Sequence, residues 1–349
     1  MSSVTQPEGP TPIFAICGYS GSGKTTLILD LVARLRARKL SVLVLKHDAH
    51  GLDLDELGKD SDRFFRAGAD VLAHDARQTF VRTGGNHQAA LPKLLDPLGR
   101  NYDLILIEGL KDTQFARKLW LRRHPRDTAP KNARPVAIDL GRDADRGAVA
   151  EQWIERELLA FQASRPLFAG ILLGGRSSRM GRPKQLLLHR GRTWLARVAS
   201  AAATLVDDVV LLGSGPLPRS RTNLTRLPDV PYRAGPVAGM CAAMRWNPFA
   251  HWLFLPCDMP LLTREALAWL KQQVKPGVWA VQPRLWARGE PQPFPGWYDA
   301  RVADALESAP GPSWLGRHLR TNSPVVPDEL VGALLSCNTP RERRRLLKT

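Results

Sequence analysis

Gly18-Tyr19-Ser20-Gly21-Ser22-Gly23-Lys24-Thr25 completes a G-x-x-x-x-G-K-[ST] loop, whose residue types suit a bound phosphate. Gly18, Gly21 and Gly23 let successive backbone N–H groups, Ser22 among them, turn inward around phosphate oxygens. Lys24 brings a point charge to a β- or γ-phosphate, and the Thr25 hydroxyl is placed to hold Mg²⁺, with Thr26 next in the same binding set. A helix beginning near Lys24 would aim its positive dipole end at the anion. Asp103–Gly109 (DLILIEG) reads as a strand with Glu108 at its carboxyl end, where a doubly wound sheet holds its ligand. Glu108 either polarises water or supports the metal, or it caps the strand. Lys46–Asp60 gathers His47, Asp48, His50, Asp53 and Asp55. That composition suits a metal or phosphate loop but favours a solvated one.

A second set begins at Leu172-Leu173-Gly174-Gly175 and runs through Arg179 to Lys184. Paired glycines admit a nucleotide close to the backbone. Arg179 and Lys184 supply positive charge for a triphosphate, the charge density that a pyrophosphate leaving group needs. Trp252–Pro260 (WLFLPCDMP) is an apolar strand ending at Asp258. A carboxylate there is a natural Mg²⁺ ligand for in-line displacement at an α-phosphorus, or else a capping aspartate. Gly235-Pro236-Val237-Ala238-Gly239 opens a helix whose backbone could read a base edge, a weak signal alone. Cys257 reads as a small buried residue.

The elements that must position these residues alternate. Strands are expected at Ile13–Cys17, Ser41–Leu45, Val71–Ala73, Thr79–Arg82, Asp103–Ile107, Lys118–Leu121 and Pro135–Leu140. Helices are expected at Lys24–Arg38 and Val149–Phe161. After a polar, proline-ended break at Gln162–Pro166 the alternation restarts. Strands then follow at Phe168–Leu173, Asp208–Leu212, Trp252–Leu255 and Gly277–Val281, with helices at Trp194–Leu205, Gly239–Arg245, Thr263–Val274 and Ser313–Arg320. Thr263-Arg264-Glu265 suits an N-cap. The pattern predicts two doubly wound α/β domains, a P-loop NTPase-like domain over residues 1–163 and a Rossmann-like nucleotidyltransferase domain over 167–349.

Composition narrows the partners. The chain has 349 residues and a formal net charge of +17, which favours anionic ligands. Basic residues concentrate only at Arg117–Arg126 and Arg341–Lys348, without the interleaved aromatics that stack on single strands. Phosphorylated small molecules are therefore expected ahead of nucleic acid. Cys17, Cys241, Cys257 and Cys337 form no C-x-x-C pair, so neither a zinc site of common spacing nor a disulfide scaffold is expected. Met1–Pro12 has no apolar core for a signal peptide, and no run is long enough to span a bilayer. Cytoplasmic placement is the expectation.

Two resemblances follow. The P-loop, Lys46-His47, Gly58-Lys59-Asp60-Ser61-x-Arg63, Ala67-Gly68-Ala69 and Leu106-Ile107-Glu108-Gly109-Leu110-Lys111, in that order, resemble the molybdopterin-guanine-dinucleotide biosynthesis adaptor family, MobB. The resemblance implies a GTP-binding accessory domain with feeble hydrolysis. Residues from about 167 onward resemble the molybdenum cofactor guanylyltransferases, MobA. It implies that Leu172, Leu173, Gly174, Gly175, Gly235, Pro236, Gly239 and Asp229 contact the guanine nucleotide. Lys184 would hold its phosphates, Asp258 would bind Mg²⁺, and Asn338-Thr339-Pro340 would border the active site. The implied reaction joins GMP from GTP to Mo-molybdopterin and releases pyrophosphate, with molybdopterin-synthesis proteins and apo-molybdoenzymes as candidate partners. Gly213-Ser214-Gly215 replaces the family's frequent asparagine, and Ser336 replaces the first asparagine of N-x-N-T-P. Arg182-Pro183-Lys184-Gln185 also resembles molybdopterin cytidylyltransferases. Cytidylyl transfer, sugar-phosphate nucleotidyl transfer and a nonenzymatic GTP-switch adaptor remain the competing readings.

Overall fold

A computed structural model describes residues 9–47, 55–83, 95, 97–142, 145–173, 182–218, 223–318 and 320–347. Arg179, Gly174 and Gly175, with Asp48, His50 and Asp53, lie outside the described residues. The chain divides into two compact units, Met1–Ile154 and Glu155–Thr349.

In the first unit, β1 (Ile13–Gly18), β2 (Val42–Lys46), β5 (Leu104–Glu108), β6 (Arg117–Leu121) and β7 (Ile138–Leu140) form one parallel sheet in the order β2-β5-β1-β6-β7. Strand β1 is central and alternates its side chains between two covered faces. Phe14 meets Trp153 edge-on at 5.3 Å, while Ala15 and Cys17 pack with Trp120 and Ala133 on the other face. Burial on both faces explains why β1 and β5 read as continuous apolar runs. Helix α1 (Lys24–Ala37) buries Leu27, Ile28, Leu31 and Leu35 on one stripe, and Arg34 and Arg36 in its last turn complement the helix dipole. A short helix, α2 (Asp60–Arg66), precedes a separate hairpin of β3 (Val71–His74) and β4 (Thr79–Arg82).

Helix α3 (Arg146–Ser164) contains the division between the units and runs through part of the expected break at Gln162–Pro166. Gln162, Ala163 and Ser164 carry no helix breaker. Proline at 166 disfavours the α conformation only at Arg165, so the helix ends just before it.

The second unit is a seven-stranded sheet, built on β8 (Leu167–Leu172). Beyond the small hairpin β9 (Leu188–His189) and β10 (Arg192–Thr193), the sheet gains β11 (Asp208–Leu212), β12 (Arg226–Leu227) and β13 (His251–Pro256). It is completed by β14 (Ala280–Val281), β15 (Gly296–Asp299) and β16 (Thr321–Asn322), in the order β12-β11-β8-β13-β15-β14-β16. Strand β15, absent from the sequence reading, is antiparallel to both neighbours, so the sheet is mixed. One face buries Ala169, Ile171, Leu211 and Leu253 under α4 (Trp194–Ala202) and α6 (Arg264–Gln272). The other buries Val210, Leu212, Trp252 and Phe254 under α5 (Pro236–Trp246) and α7 (Ala303–Ser308). Thr263 caps α6 as expected, its hydroxyl accepting from Ala266 N at 3.3 Å. The chain closes with α8 (Asp328–Val331) and α9 (Pro340–Leu346). The helix expected over Ser313–Arg320 is a 3-10 segment, Pro312–Arg317. Gly316 lies within it, where an added Cβ would stand 3.0 Å from Gln282 Oε1 and 3.1 Å from Pro291.

Candidate functional site

Each unit gathers its chemistry at the carboxyl end of its parallel strands. In the first, β1 delivers the chain into the P-loop with Gly18 at φ 153° and Gly23 at φ 90°. A Cβ on Gly18 would stand 2.5 Å from Ser22 Oγ and 2.7 Å from Leu121 O, so the loop closes only over a bare α-carbon. Gly23 in the left-handed region begins α1 without a side-chain cap, leaving the first-turn N–H groups pointing toward the loop. Lys24 Nζ donates to Gly18 O (3.3 Å) and Tyr19 O (3.0 Å), curling over the loop. Thr25 Oγ1 donates to Glu108 Oε1 at 2.8 Å, which joins the P-loop to the end of β5. Ser22 Oγ is buried without a partner among the described residues. Thr26 stands exposed in the first turn of α1.

Two positioning residues were not singled out in the sequence. Arg146, the first residue of α3, donates to Ser22 O at 2.8 Å, to Gly141 O at 2.7 Å and to Arg122 O. One guanidinium thus ties the P-loop to the ends of β6 and β7. Lys118 is fully buried in β6, and its ammonium donates to Lys111 O (2.7 Å), Thr113 O (2.8 Å) and Ala133 O (2.9 Å). Burial pushes its pKa down. A charge inside the apolar run KLWL was the available signal. Asp55, one of the acidic residues in the Lys46–Asp60 segment, accepts from Ser61 Oγ (2.8 Å) and Arg82 Nη1 (2.8 Å), the role of a structural carboxylate.

In the second unit, Lys184, Asp258 and Asn338 come together from three distant parts of the chain. Lys184 Nζ donates to Asp258 Oδ2 at 2.8 Å and Asn338 Oδ1 at 2.7 Å. Asp258 follows β13, and Cys337 N donates to Asp258 O at 2.8 Å, pinning the Asn338 segment beside it. A capping box holds the next turn: Thr339 caps α9, while Glu342 Oε2 accepts from Asn338 N (2.7 Å) and Thr339 N (3.0 Å). Ser336, the departure from the N-x-N-T-P pattern, takes part, since its hydroxyl accepts from Asn338 Nδ2 at 3.0 Å. The pair Lys184–Asp258 is mostly buried, with side chains 18% and 16% exposed.

A second wall is formed by Leu172, Gly213, Asp229 and Gly239. An added Cβ on Gly239 would meet Leu212 Cβ at 3.1 Å, Leu172 Cδ2 at 3.2 Å and Asp229 Oδ1 at 3.3 Å. On Gly213 (φ 95°) it would stand 2.5 Å from Leu173 O. Glycine at 213 is therefore required by this backbone. Leu173 N donates to Leu212 O at 2.7 Å, which closes the end of β8 against β11. Partial burial raises the pKa of Asp229. Gly235 precedes α5 with φ 65°, and Pro236 occupies its first turn.

Two pairs of hard oxygen donors suit Mg²⁺. Asp258 and Asn338 direct oxygens at one shared cation, the Lys184 ammonium, and Thr25 and Glu108 lie within hydrogen-bonding distance of each other. Among the described residues no group of three or more His, Cys, Asp or Glu side chains gathers into a metal cluster. Magnesium commonly takes one or two carboxylates and completes its shell with phosphate and water. Burial raises the thiols of Cys17, Cys241 and Cys337 to about 11 and that of Cys257 to about 12, so none is a ready nucleophile.

Residues 13–138 match the family described as molybdopterin guanine dinucleotide synthesis protein B, and residues 169–325 match the MobA-like NTP transferase domain. A molybdopterin-guanine dinucleotide biosynthesis adapter protein of Haemophilus influenzae is 36% identical over 127 residues, covering 34% of this chain and 68% of the relative. A molybdenum cofactor guanylyltransferase of Rhizobium meliloti is 33% identical over 195 residues, covering 51% of this chain and 88% of the relative. A solved structure of molybdopterin-guanine dinucleotide biosynthesis protein A from Archaeoglobus fulgidus is 24% identical, with a TM-score of 0.42, covering 52% of this chain and 97% of that one.

Proposed function

Since the chain belongs to the molybdopterin guanine dinucleotide synthesis protein B family over residues 13–138 and to the MobA-like NTP transferases over residues 169–325, we propose that it is a nucleotidyltransferase joining GMP from GTP to Mo-molybdopterin, with a GTP-binding adaptor unit in the same chain. The convergence of Lys184, Asp258 and Asn338 carries this reading.

The terminal phosphate oxygen of the acceptor attacks the α-phosphorus of GTP. The bond to the β-phosphate oxygen breaks, and pyrophosphate leaves with both electrons of that bond. Lys184 faces this centre as a fixed positive charge and offsets the charge that grows on the leaving oxygens. Arg179 is assigned to the same role. Asp258 and Asn338 hold the Lys184 ammonium in place, and the backbone bond to Cys337 fixes the distance between their segments. When Mg²⁺ is bound by Asp258 with Asn338, it supplies Lewis-acid neutralisation of the phosphates. The wall of Leu172, Gly213, Asp229 and Gly239 is assigned to the nucleoside, where the bare α-carbons at 213 and 239 let the strand ends, Asp229 and the first turn of α5 pack closely together. The protein contributes position and electrostatics rather than a covalent intermediate.

In the first unit Ser22, Gly23, Lys24, Thr25 and Thr26 are assigned to GTP phosphates, with Thr25 and Glu108 as candidate holders of a second Mg²⁺. Among the described residues no helix is long and apolar enough to cross a membrane.

The test is pyrophosphate release from purified protein with Mg²⁺ and molybdopterin, comparing GTP with CTP in wild type and Lys24→Ala. Release that depends on GTP and survives Lys24→Ala supports the reading. Preference for CTP overturns the base assignment, and release with neither nucleotide overturns the transferase reading in favour of an adaptor.

A further inference from the structure

A groove of about 500 Å³ lies between the β9–β10 hairpin and α9. Arg190, Arg343 and Arg344 line it with cations, and Leu188, Pro340 and Leu347 give it an apolar floor. The hairpin turn is Arg190-Gly191, with φ 48° and 74°. Two positive φ values joining strands in register His189 to Arg192 define a two-residue turn of the I′ type. Asparagine, aspartate or glycine suits its first position at least cost. Arginine there carries backbone strain, and the residue lines the groove. Opposite, Arg343 donates to Leu188 O at 3.3 Å, joining α9 to the hairpin.

Among the described residues no carboxylate lines the groove. Glu342, the acidic residue of α9, is turned away to cap Asn338 N and Thr339 N. Compensation of the helix dipole accounts for basic residues late in α9 but not for Arg190 on the facing turn. His189, 9% exposed in the same wall, adds no negative charge.

We propose that this groove binds a small phosphate-bearing molecule, its phosphate gripped by Arg190, Arg343 and Arg344 and its less polar part resting on Leu188, Pro340 and Leu347. Guanidinium forks match phosphate geometry, and the volume suits a small ligand rather than a folded partner. The site stands beside the transfer centre. Pro340 follows Asn338 by two residues and Leu188 follows Lys184 by four, spans of at most about 7 and 14 Å of extended chain. Its occupant therefore bears on the two segments that carry Lys184 and Asn338.

The probe is pyrophosphate, titrated calorimetrically into a Lys24→Ala/Lys184→Met background that weakens the P-loop and transfer sites. One equivalent of binding remains there, and Arg190→Gly with Arg344→Ala weakens it at least tenfold. Arg190→Gly alone raises the melting temperature, because glycine takes φ 48° without a Cβ; that separates a loss of binding from a loss of fold. Arg190→Asn serves as the second variant, keeping the turn and removing the charge, with the same weakening expected. Absence of binding in the background, or binding indifferent to these substitutions, overturns the proposal. Tighter binding of a hexaglutamate peptide than of pyrophosphate overturns it in favour of an acidic protein segment.

Discussion

Replacing Lys184 by methionine keeps the length and bulk of the side chain and removes its charge. Two oxygens lose their common donor, Asp258 Oδ2 at 2.8 Å and Asn338 Oδ1 at 2.7 Å. If Lys184 stabilises charge developing on the leaving pyrophosphate, removing it resembles removal of one preorganised donor, a loss of about 2.7–4 kcal/mol or 10²–10³ in kcat. Stability should suffer less. Stranding one member of a fully buried pair costs about 3–5 kcal/mol. Asp258 keeps 16% of its side chain exposed and can draw water, which lowers the expected cost to about 1–2 kcal/mol. The assay is steady-state pyrophosphate release with saturating GTP and molybdopterin, beside urea unfolding. The double variant Lys184→Met/Asp258→Asn adds a sharper criterion. Groups that act as a unit are non-additive, so the double should be slower than Lys184→Met by less than the factor that Asp258→Asn alone imposes. A kcat within fivefold of wild type for Lys184→Met, or single effects that multiply in the double variant, refutes the argument.

Other expectations follow from the same geometry. Arg146→Ala removes three donors from the loops around the P-loop, and the Kd of a fluorescent GTP analogue, read in a Lys184→Met background, should rise about tenfold, or ~1.4 kcal/mol; Arg146→Lys should recover only part, lacking the guanidinium fork. Gly18→Ala meets backbone at 2.7 Å and should cost about 2–4 kcal/mol in urea unfolding. Gly239→Ala meets side chains at 3.1–3.3 Å and should cost about 1 kcal/mol while raising KM for GTP. The second unit should lose stability as pH falls. His251 is held below its ordinary pKa, first by burial and also by Arg165 and Arg301, although Asp299 opposes this. It stays neutral in the fold while the unfolded chain takes up a proton below about pH 6.5. His189 and His318, lowered chiefly by burial, add to that slope. Asp299, held well below the usual range by Arg301 and its other cationic neighbours against the cost of burial, contributes stability present above about pH 3.9 and lost as pH falls through its folded value. Melting between pH 7.5 and 5.5 should therefore show a downward slope, made shallower by His251→Asn.

Local signals carried much of the fold. Ile13–Gly18, Leu104–Glu108 and His251–Pro256 are buried on both faces and so read as unbroken apolar runs. Thr263 announced its helix through a cap that needs only neighbours in sequence. The P-loop residues are contiguous, so their arrangement follows from local backbone rules. Elements settled by distant partners were harder to see. Strand β15 owes its place to pairing with β13 and β14, and nothing within Gly296–Asp299 states which neighbours it finds. Lys184 and Asn338 are 154 residues apart, and only the fold brings them within 2.7 Å. Resemblance to a family had marked both, but not that one ammonium would join them. Gly213-Ser214-Gly215 read as a departure from a pattern, and only Leu173 O, 2.5 Å from where a Cβ on Gly213 would stand, shows why its first residue is glycine.

The Lys118 ammonium has every proton committed to a carbonyl and no surface open to solvent. An acylating reagent that marks exposed lysines within seconds must wait for this one until strand β6 parts from its surroundings. Its depressed pKa does not speed the reaction while the amine is enclosed. The rate at which position 118 acquires label, read by mass spectrometry, is thus a clock for opening of the first unit. Slowing of that clock by GTP would measure how far nucleotide binding stiffens the sheet beneath the P-loop.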